Sequence, residues 1–353
     1  MSNEIMNIEI NEKMTPSLCF FEHSGQVFGL DKHSNGIFEI DIKKDKVKFL
    51  GVISKVYGIK SPFSKVIVYE EQLFFVPYNY DKMLIYHIEN AVWEEVDLNV
   101  NKNEGLFIEA FVLKDTLYCL PFNYEKIVKV ELKSKNVEYV DLFEVYHEPK
   151  KRMFIKFLVL DDENIILPLF SANKIMKYHV NGCFEIIELP RKDFQINTIT
   201  KWKDCIYLLS RNSLEILKLN LNLEIVDCIK IQSDITPIGT ELTYFTQSGF
   251  FVVGNDLYCF PARWNHVIKM DVQTGKSKII DTLDFLSKRN VDSEKINKFN
   301  HGIVLNNKLY IQNFDEKILV FDLKDETFQI ISTKENDLNS INLKSYIRHI
   351  INL

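Results

Sequence analysis

One six-residue pattern recurs seven times along the chain and constrains the fold more than any other feature of the sequence. It reads apolar-x-x-apolar-polar-apolar, and its copies are IFEIDI (from Ile37), MLIYHI (Met83), IVKVEL (Ile127), IMKYHV (Ile175), ILKLNL (Ile216), VIKMDV (Val267) and ILVFDL (Ile318). Successive copies begin 41 to 51 residues apart. A unit of this length repeated seven times indicates one repeat architecture rather than several unrelated domains.

Each unit contains four short strands. The third unit reads IEAFVL, TLYCL, IVKVEL and VEYVDL, separated by the turns KD, PFNYEK and KSKN. The strand segments are rich in β-branched and aromatic residues, and turn formers bound them. Because the connections are only two to six residues long, the four strands form an antiparallel meander.

Several of these strands are apolar on both faces, as in LFFVP, IILPLF and FVVG. Such strands belong to sheets that are buried between neighbouring sheets. An open row of sheets would expose the outer faces of its end members, whereas a closed ring covers every face. The sequence therefore predicts an all-β fold, a seven-bladed β-propeller of four-stranded antiparallel blades.

The repeats resemble those of the β-propeller repeat families, most closely those whose blades end in D-x-x-T-G. Asp271, Thr274 and Gly275 match that ending once. The Gly-Gly doublet of kelch repeats and the Gly-His and Trp-Asp signatures of WD40 repeats are absent from the sequence. The resemblance implies the propeller fold, and it carries over no catalytic residues.

One propeller domain is predicted to span residues 1–353. Its blades are expected at roughly 17–52, 65–98, 108–142, 154–189, 196–228, 250–282 and 299–333. A charged insertion, 283–298, precedes the last blade. In the tail, 339–353, apolar residues recur at helical spacing from Leu343 to Ile351, which predicts a short C-terminal helix that packs against the ring.

Composition and charge narrow the classes of partner. The net charge of −6 argues against a nucleic-acid ligand, because phosphate binding requires a cationic surface. No apolar run is long enough for a membrane span, and the polar N-terminus does not resemble a secretory signal. None of the 6 cysteines has zinc-site or C-x-x-C spacing. We therefore expect a cytoplasmic protein with no cofactor and reduced, buried cysteines.

The loop between the second and third strands of each blade emerges on the same face as the link to the next blade. Seven such loops surround one mouth of the axial channel, where binding residues are commonly found. Proline and asparagine in these loops fit turn geometry. Aromatic, cationic and titratable side chains are not needed for turns, and they mark a candidate ligand site: Tyr78, Tyr80, Phe122, Tyr124, Arg211, Arg263, Trp264 and His266. Packing within the loops explains the aromatic residues equally well.

The predicted function is non-catalytic binding of a protein, peptide or glycan-like ligand through these loops. The alternative is a channel-mouth enzyme, a lyase or hydrolase that acts on a small or peptide substrate and could use a divalent metal. Its candidate residues are His301, Glu109 and Lys156, from the innermost strands. No Ser/His/Asp order, G-x-S-x-G motif or paired-carboxylate spacing favours that alternative.

Overall fold

The computed structural model describes residues 18–31, 35–41, 46–56, 59, 61–100, 105–142, 154, 156–169, 172–213, 215–231, 249–260, 266–281, 302–312 and 317–332. Within these ranges the chain forms seven antiparallel sheets, each of four strands that pair in chain order. The prediction of an all-β, seven-bladed propeller is confirmed. Each sheet is one blade, numbered 1 to 7 along the chain.

The strands of blades 1 to 4 have the following bounds. Blade 1 contains β1 Leu18–His23, β2 Gln26–Asp31, β3 Gly36–Asp41 and β4 Lys46–Val52. Blade 2 contains β5 Phe63–Tyr69, β6 Gln72–Pro77, β7 Lys82–His87 and β8 Val92–Asp97. Blade 3 contains β9 Phe107–Leu113, β10 Thr116–Pro121, β11 Lys126–Glu131 and β12 Val137–Asp141. Blade 4 contains β13 Leu158–Val159, β14 Asn164–Pro168, β15 Lys174–His179 and β16 Phe184–Glu188.

Blades 5 to 7 repeat this arrangement. Blade 5 contains β17 Ile196–Trp202, β18 Cys205–Ser210, β19 Glu215–Asn220 and β20 Ile225–Lys230. Blade 6 contains β21 Gly249–Val253, β22 Asp256–Phe260, β23 His266–Asp271 and β24 Ser277–Asp281. Blade 7 contains β25 Gly302–Leu305, β26 Lys308–Gln312, β27 Lys317–Asp322 and β28 Thr327–Ser332.

The second strand of each blade shows why the sheets stack. In β10, Leu117 and Cys119 pack into a cluster shared with blade 2, and Tyr118 and Leu120 pack into a cluster shared with blade 4. Alternate side chains of a strand point to opposite faces, so both faces of the sheet are covered by apolar neighbours. Burial raises the pKa of the Cys119 thiol, which keeps it protonated as a small hydrophobic side chain.

The ring is closed by packing between the first and last blades. Phe20, Val27 and Ile40 of blade 1 form one buried cluster with side chains of blade 7, including Tyr310 and Ile318. Strands β1 and β25 are in contact, as are β4 and β28. Across the described residues, each of the seven pairs of neighbouring blades shares one such apolar cluster. No sheet face in these ranges is left as the open end of a row.

Two predictions fall on parts of the chain that the structure does not describe. The C-terminal helix at 339–353 and the insertion at 283–298 lie outside the described residues. The one helical element in the described ranges is a 3-10 turn, Ser54–Val56. None of the helical structure described is long and apolar enough to cross a membrane.

Candidate functional site

The loops between second and third strands are fixed to the links between blades by main-chain hydrogen bonds. The amide of Tyr78 donates to the carbonyl of Pro62 at 2.6 Å, and the amide of Phe122 donates to that of Leu106 at 2.7 Å. In blade 5 the amide of Arg211 donates to Gln195 at 2.7 Å. These loops and the links therefore share one face of the ring, which we call the loop face.

Asparagine side chains reinforce this connection. The Oδ1 atom of Asn79 accepts from the amide of Gly105 at 2.9 Å, and the Nδ2 atom of Asn173 donates to the carbonyl of Leu189 at 3.1 Å. The Nδ2 atom of Asn212 likewise donates to the carbonyl of Asp193, at 2.8 Å. The asparagines thus satisfy link backbone groups in addition to forming turns.

Gly105 lets the link of blades 2 and 3 pass close to the loop of blade 3. Its φ angle is +60°, a left-handed conformation that favours glycine. A Cβ atom at this position would clash with Nδ2 of Asn123 and lie 3.1 Å from Cδ1 of Phe122. The close approach packs the link against Phe122 and fixes the position of that ring.

Tyr78 and Phe122 form a partly exposed ring pair on the loop face, called the aromatic pair below. Their centroids are 5.6 Å apart and their planes are inclined by 47°. The carbonyl of Tyr78 accepts from the amide of Leu106 at 2.8 Å, and the carbonyl of Leu106 accepts from Phe122. A continuous chain of backbone hydrogen bonds therefore holds the two rings in place across the boundary between blades 2 and 3.

Tyr80 and Tyr124 occupy a different environment from the aromatic pair. Tyr80 packs edge-on against Phe63 at 6.1 Å, and Tyr124 packs edge-on against Phe107 at 5.8 Å. Both rings also pack against the apolar clusters between blades. Burial raises the pKa of each phenol. These contacts are those of packing residues at the base of the loops.

The remaining predicted ligand residues are only partly described. Arg211 is half-buried in the loop of blade 5, next to Asn212. His266 begins β23, but its side chain lies outside the described part of the chain. Arg263, Trp264 and the alternative catalytic residue His301 also lie outside it. The structure therefore assigns no contacts to these four side chains.

The first strand of each blade lies next to the axis. First strands of neighbouring blades contact each other, as β1 does β5, β5 does β9 and β17 does β21. Lys65 and Glu109 stand two residues after Phe63 and Phe107, the first residues of β5 and β9. Both strands contain a β-bulge at this point. In β5, Phe63 pairs with Pro77 and Lys65 pairs with Val76, so two steps along β5 match one step along β6. The pairing of β9 with β10 shifts in the same way between Phe107 and Glu109. In blade 4, Lys156 follows the bridge residue Phe154 by the same two positions.

The charged side chains at these three equivalent positions are in contact. We call Lys65, Glu109 and Lys156 the axial cluster. Glu109 forms ion pairs with Lys65 of blade 2 and with Lys156 of blade 4, the latter at 3.7 Å. The ammonium of Lys65 also lies 5.4 Å from the ring centroid of Phe157. Since Lys65 reaches past blade 3 to blade 4, its side chain extends into the space that the first strands enclose.

The exposure of the axial cluster is uneven. The Glu109 side chain is 6% exposed, whereas Lys65 and Lys156 are 29% and 31% exposed. The position of blade 5 equivalent to Lys156 is Thr198, which is buried and follows a bulge at Asn197. Neither amide atom of the buried Asn197 side chain has a hydrogen-bond partner among the residues described. The buried Asn197 side chain therefore has unused hydrogen-bonding capacity at the bulge of β17.

Sequence reasoning singled out Glu109 and Lys156, and the structure brings them together. It missed Lys65. A signal was available, because the sequence at or just before the first strands of blades 2 to 4 reads FSK (63–65), FIE (107–109) and FIK (154–156). Aligning those triplets predicts that Lys65, Glu109 and Lys156 share one level of the channel. In the described ranges, no three His, Cys, Asp or Glu side chains come together as a metal site would require.

Solved structures with similar folds are propellers of several kinds. A streptogramin B lyase superposes with a TM-score of 0.61 at 13% identity, over 86% of this chain and 93% of the lyase. A catalytically inactive virginiamycin B lyase from Staphylococcus aureus with Quinupristin superposes with a TM-score of 0.63 at 12% identity, over 87% of this chain and 95% of the lyase. The extracellular domain of a putative one component system from B. thetaiotaomicron superposes with a TM-score of 0.57 at 14% identity, over 85% of this chain and 38% of that domain's chain.

These identities show a shared fold alone. No protein-family model matches the chain, and the comparison with curated proteins gives no match.

Proposed function

We propose that this propeller is a non-catalytic binding module that recognises a protein or peptide segment on its loop face. The observation that carries the proposal is the aromatic pair, Tyr78 and Phe122, which is held across two blades yet remains partly exposed. A glycan-like ligand is the alternative, because aromatic rings also stack on sugars.

The geometry favours binding because the rings are positioned before any ligand arrives. The backbone hydrogen bonds from Pro62 through Tyr78 and Leu106 to Phe122 restrict the motion of both loops. Binding to such a surface costs little conformational entropy. Aromatic side chains supply large contact areas and are enriched among residues that dominate binding energies.

Replacing both rings, Tyr78→Ala with Phe122→Ala, should weaken ligand capture about tenfold, because loss of two aromatic contacts removes about 1–2 kcal/mol. The measurement is affinity selection from a mixture of randomised N-acetylated hexapeptides and, separately, a panel of neutral oligosaccharides, with captured molecules counted by mass spectrometry. Peptide capture that depends on the pair supports the proposal, whereas oligosaccharide capture in place of peptides supports the glycan-like alternative.

Tyr139→Ala is the matched control. Tyr139 is an exposed aromatic residue on β12, the outermost strand of blade 3. That variant should capture as much peptide as the unmodified chain. An equal loss of peptide capture in Tyr139→Ala and in the double variant, or no loss of capture in the double variant, would contradict the proposal. Peptides recovered with an altered mass would instead indicate the channel-mouth enzyme, whose candidate residues Glu109 and Lys156 are in contact.

A further inference from the structure

The last residue of the loop between the second and third strands has a structural role in two blades. This residue is Asn35 in blade 1 and Asn173 in blade 4, and each stands directly before the third strand. The Nδ2 atom of Asn35 donates to the carbonyl of Val56 at 3.2 Å, and that of Asn173 donates to the carbonyl of Leu189 at 3.1 Å. In both blades an amide side chain therefore fixes the loop to the link that follows the blade.

Blades 2 and 3 carry carboxylates at the same position, Asp81 and Glu125. A carboxylate only accepts hydrogen bonds, so it cannot donate to a link carbonyl as asparagine does. Both residues are exposed, and neither side chain makes an ion pair or a hydrogen bond in the part of the chain that the structure describes. The lysines that follow them, Lys82 and Lys126, are paired instead with carboxylates of the fourth strands. Loop structure therefore does not account for acidic residues at this position.

The two carboxylates lie beside the aromatic pair, on its outer side. Tyr78 and Asp81 are the first and last residues of the four-residue loop between β6 and β7, and Phe122 and Glu125 bound the equivalent loop of blade 3. Neighbouring strands lie about 4.8 Å apart, so each acidic residue begins about one strand spacing outward from a residue of the pair. A long ligand side chain that lies across the rings therefore reaches a carboxylate with its end.

Aromatic faces next to carboxylates suit a cationic ligand group. The face of an aromatic ring attracts a cation, and a carboxylate accepts charge-assisted hydrogen bonds from it. The guanidinium of arginine meets both requirements, because it is planar, stacks on rings and donates in a fork that matches a carboxylate. The net charge of −6 also favours the approach of a basic peptide.

We propose that the loop face recognises an arginine side chain of its peptide ligand. The guanidinium stacks on the aromatic pair and donates hydrogen bonds to Asp81 or Glu125. The inference rests on the proposed function and names the side chain that the same site selects.

The test uses N-acetylated hexapeptide amides that carry one fixed arginine among randomised uncharged residues. In a second mixture citrulline, which has nearly the same shape but no charge, replaces the arginine. The full chain should capture the arginine peptides about tenfold more strongly, because citrulline loses the cation–π contact and the ion pair. Asp81→Asn with Glu125→Gln should abolish that preference and leave capture of the citrulline peptides unchanged.

Asp162→Asn with Asp204→Asn is the matched control. Both residues are exposed and lie in turns between first and second strands, on the face opposite the loop face. This variant loses the same two charges, so it should keep the tenfold preference for arginine. Loss of the preference in the control would overturn the inference, because it would assign the effect to total charge. Thermal melting of both double variants checks that they are folded.

The remaining outcomes separate this inference from the proposed function. Equal capture of arginine and citrulline peptides, still lost when Tyr78 and Phe122 are both alanine, would overturn arginine recognition and leave the loop-face function standing. No capture of either mixture would overturn both. A third mixture with lysine should be captured less than the arginine mixture, because an ammonium has no planar face to stack. Stronger capture of lysine would overturn the assignment of arginine.

Discussion

At the scale of single residues, chemically similar side chains in equivalent loops have different environments. Tyr80 and Tyr124 pack against Phe63 and Phe107, whereas Tyr78 and Phe122 contact each other; all four residues are partly exposed. The sequence predicts an aromatic loop in each case, since PYNY and PFNY read alike. It does not show which ring faces the apolar clusters, because that depends on the link of the next blade.

Gly105 is the residue on which the position of the aromatic pair depends most directly. Gly105→Ala should lower the free energy of unfolding by about 3 kcal/mol, because it adds a steric clash to the cost of a left-handed backbone. Gly25→Ala is the control, since Gly25 also has a positive φ, +77°, but no atom lies within 4 Å of the added Cβ. Gly25→Ala should lower the free energy of unfolding by about 1 kcal/mol.

Urea denaturation of both glycine variants provides the measurement. Equal losses would show that the close contact of the link with Phe122 and Asn123 contributes nothing to stability.

At the scale of strands and blades, the sequence repeat predicts the four-stranded meander of each blade. It does not predict which side chains form ion pairs between neighbouring blades. Strand existence and order follow from the alternating apolar pattern, and the structure confirms them. The bulges that align Lys65 with Glu109 depend on backbone pairing, which the pattern does not encode. Ion pairs between blades join residues far apart in the chain, so a pattern local to one blade cannot reveal them.

One such ion pair provides a pH-dependent test of blade packing. Glu326, in the last turn of blade 7, accepts a hydrogen bond from Lys269 of blade 6 at 2.8 Å. The hydrogen bond from Lys269, followed by that from Lys278, lowers the pKa of the Glu326 carboxyl. A lowered folded-state pKa contributes stability above the carboxyl's ordinary pKa, and that contribution is lost as the pH falls through the lowered value.

Glu326→Gln should therefore reduce the free energy of unfolding by about 1 kcal/mol at pH 7, and the difference from the unmodified chain should vanish at an acidic pH below the lowered folded-state pKa of Glu326. Glu138→Gln, which affects a more exposed pair with Lys129, should change stability less at either pH. Denaturation curves at several pH values measure both effects. A difference for Glu326→Gln that does not vary with pH would contradict the assigned ion pair.

At the scale of the whole molecule, ring closure limits which surfaces are available for the recognition that we propose. Blade 7 packs on blade 1 through a buried cluster that includes Phe20 and Tyr310, so the apolar sheet faces are used within the ring. Exposed large apolar residues in the described ranges are single side chains on fourth strands: Leu50, Val92, Tyr139 and Val226. Scattered residues of this kind do not make a docking surface. The loop face, with the aromatic pair, is the surface that we propose for recognition.

Site-specific photo-crosslinking tests that placement most directly. Tyr78 is replaced with p-benzoylphenylalanine in one chain and Val226 in another, and each is irradiated with the randomised N-acetylated hexapeptide mixture. Val226 is 57% exposed on β20, an outer strand of blade 5. We expect peptide adducts from position 78 and none above background from position 226. Adducts from position 226 alone, or equal yields from both, would contradict recognition at the loop face.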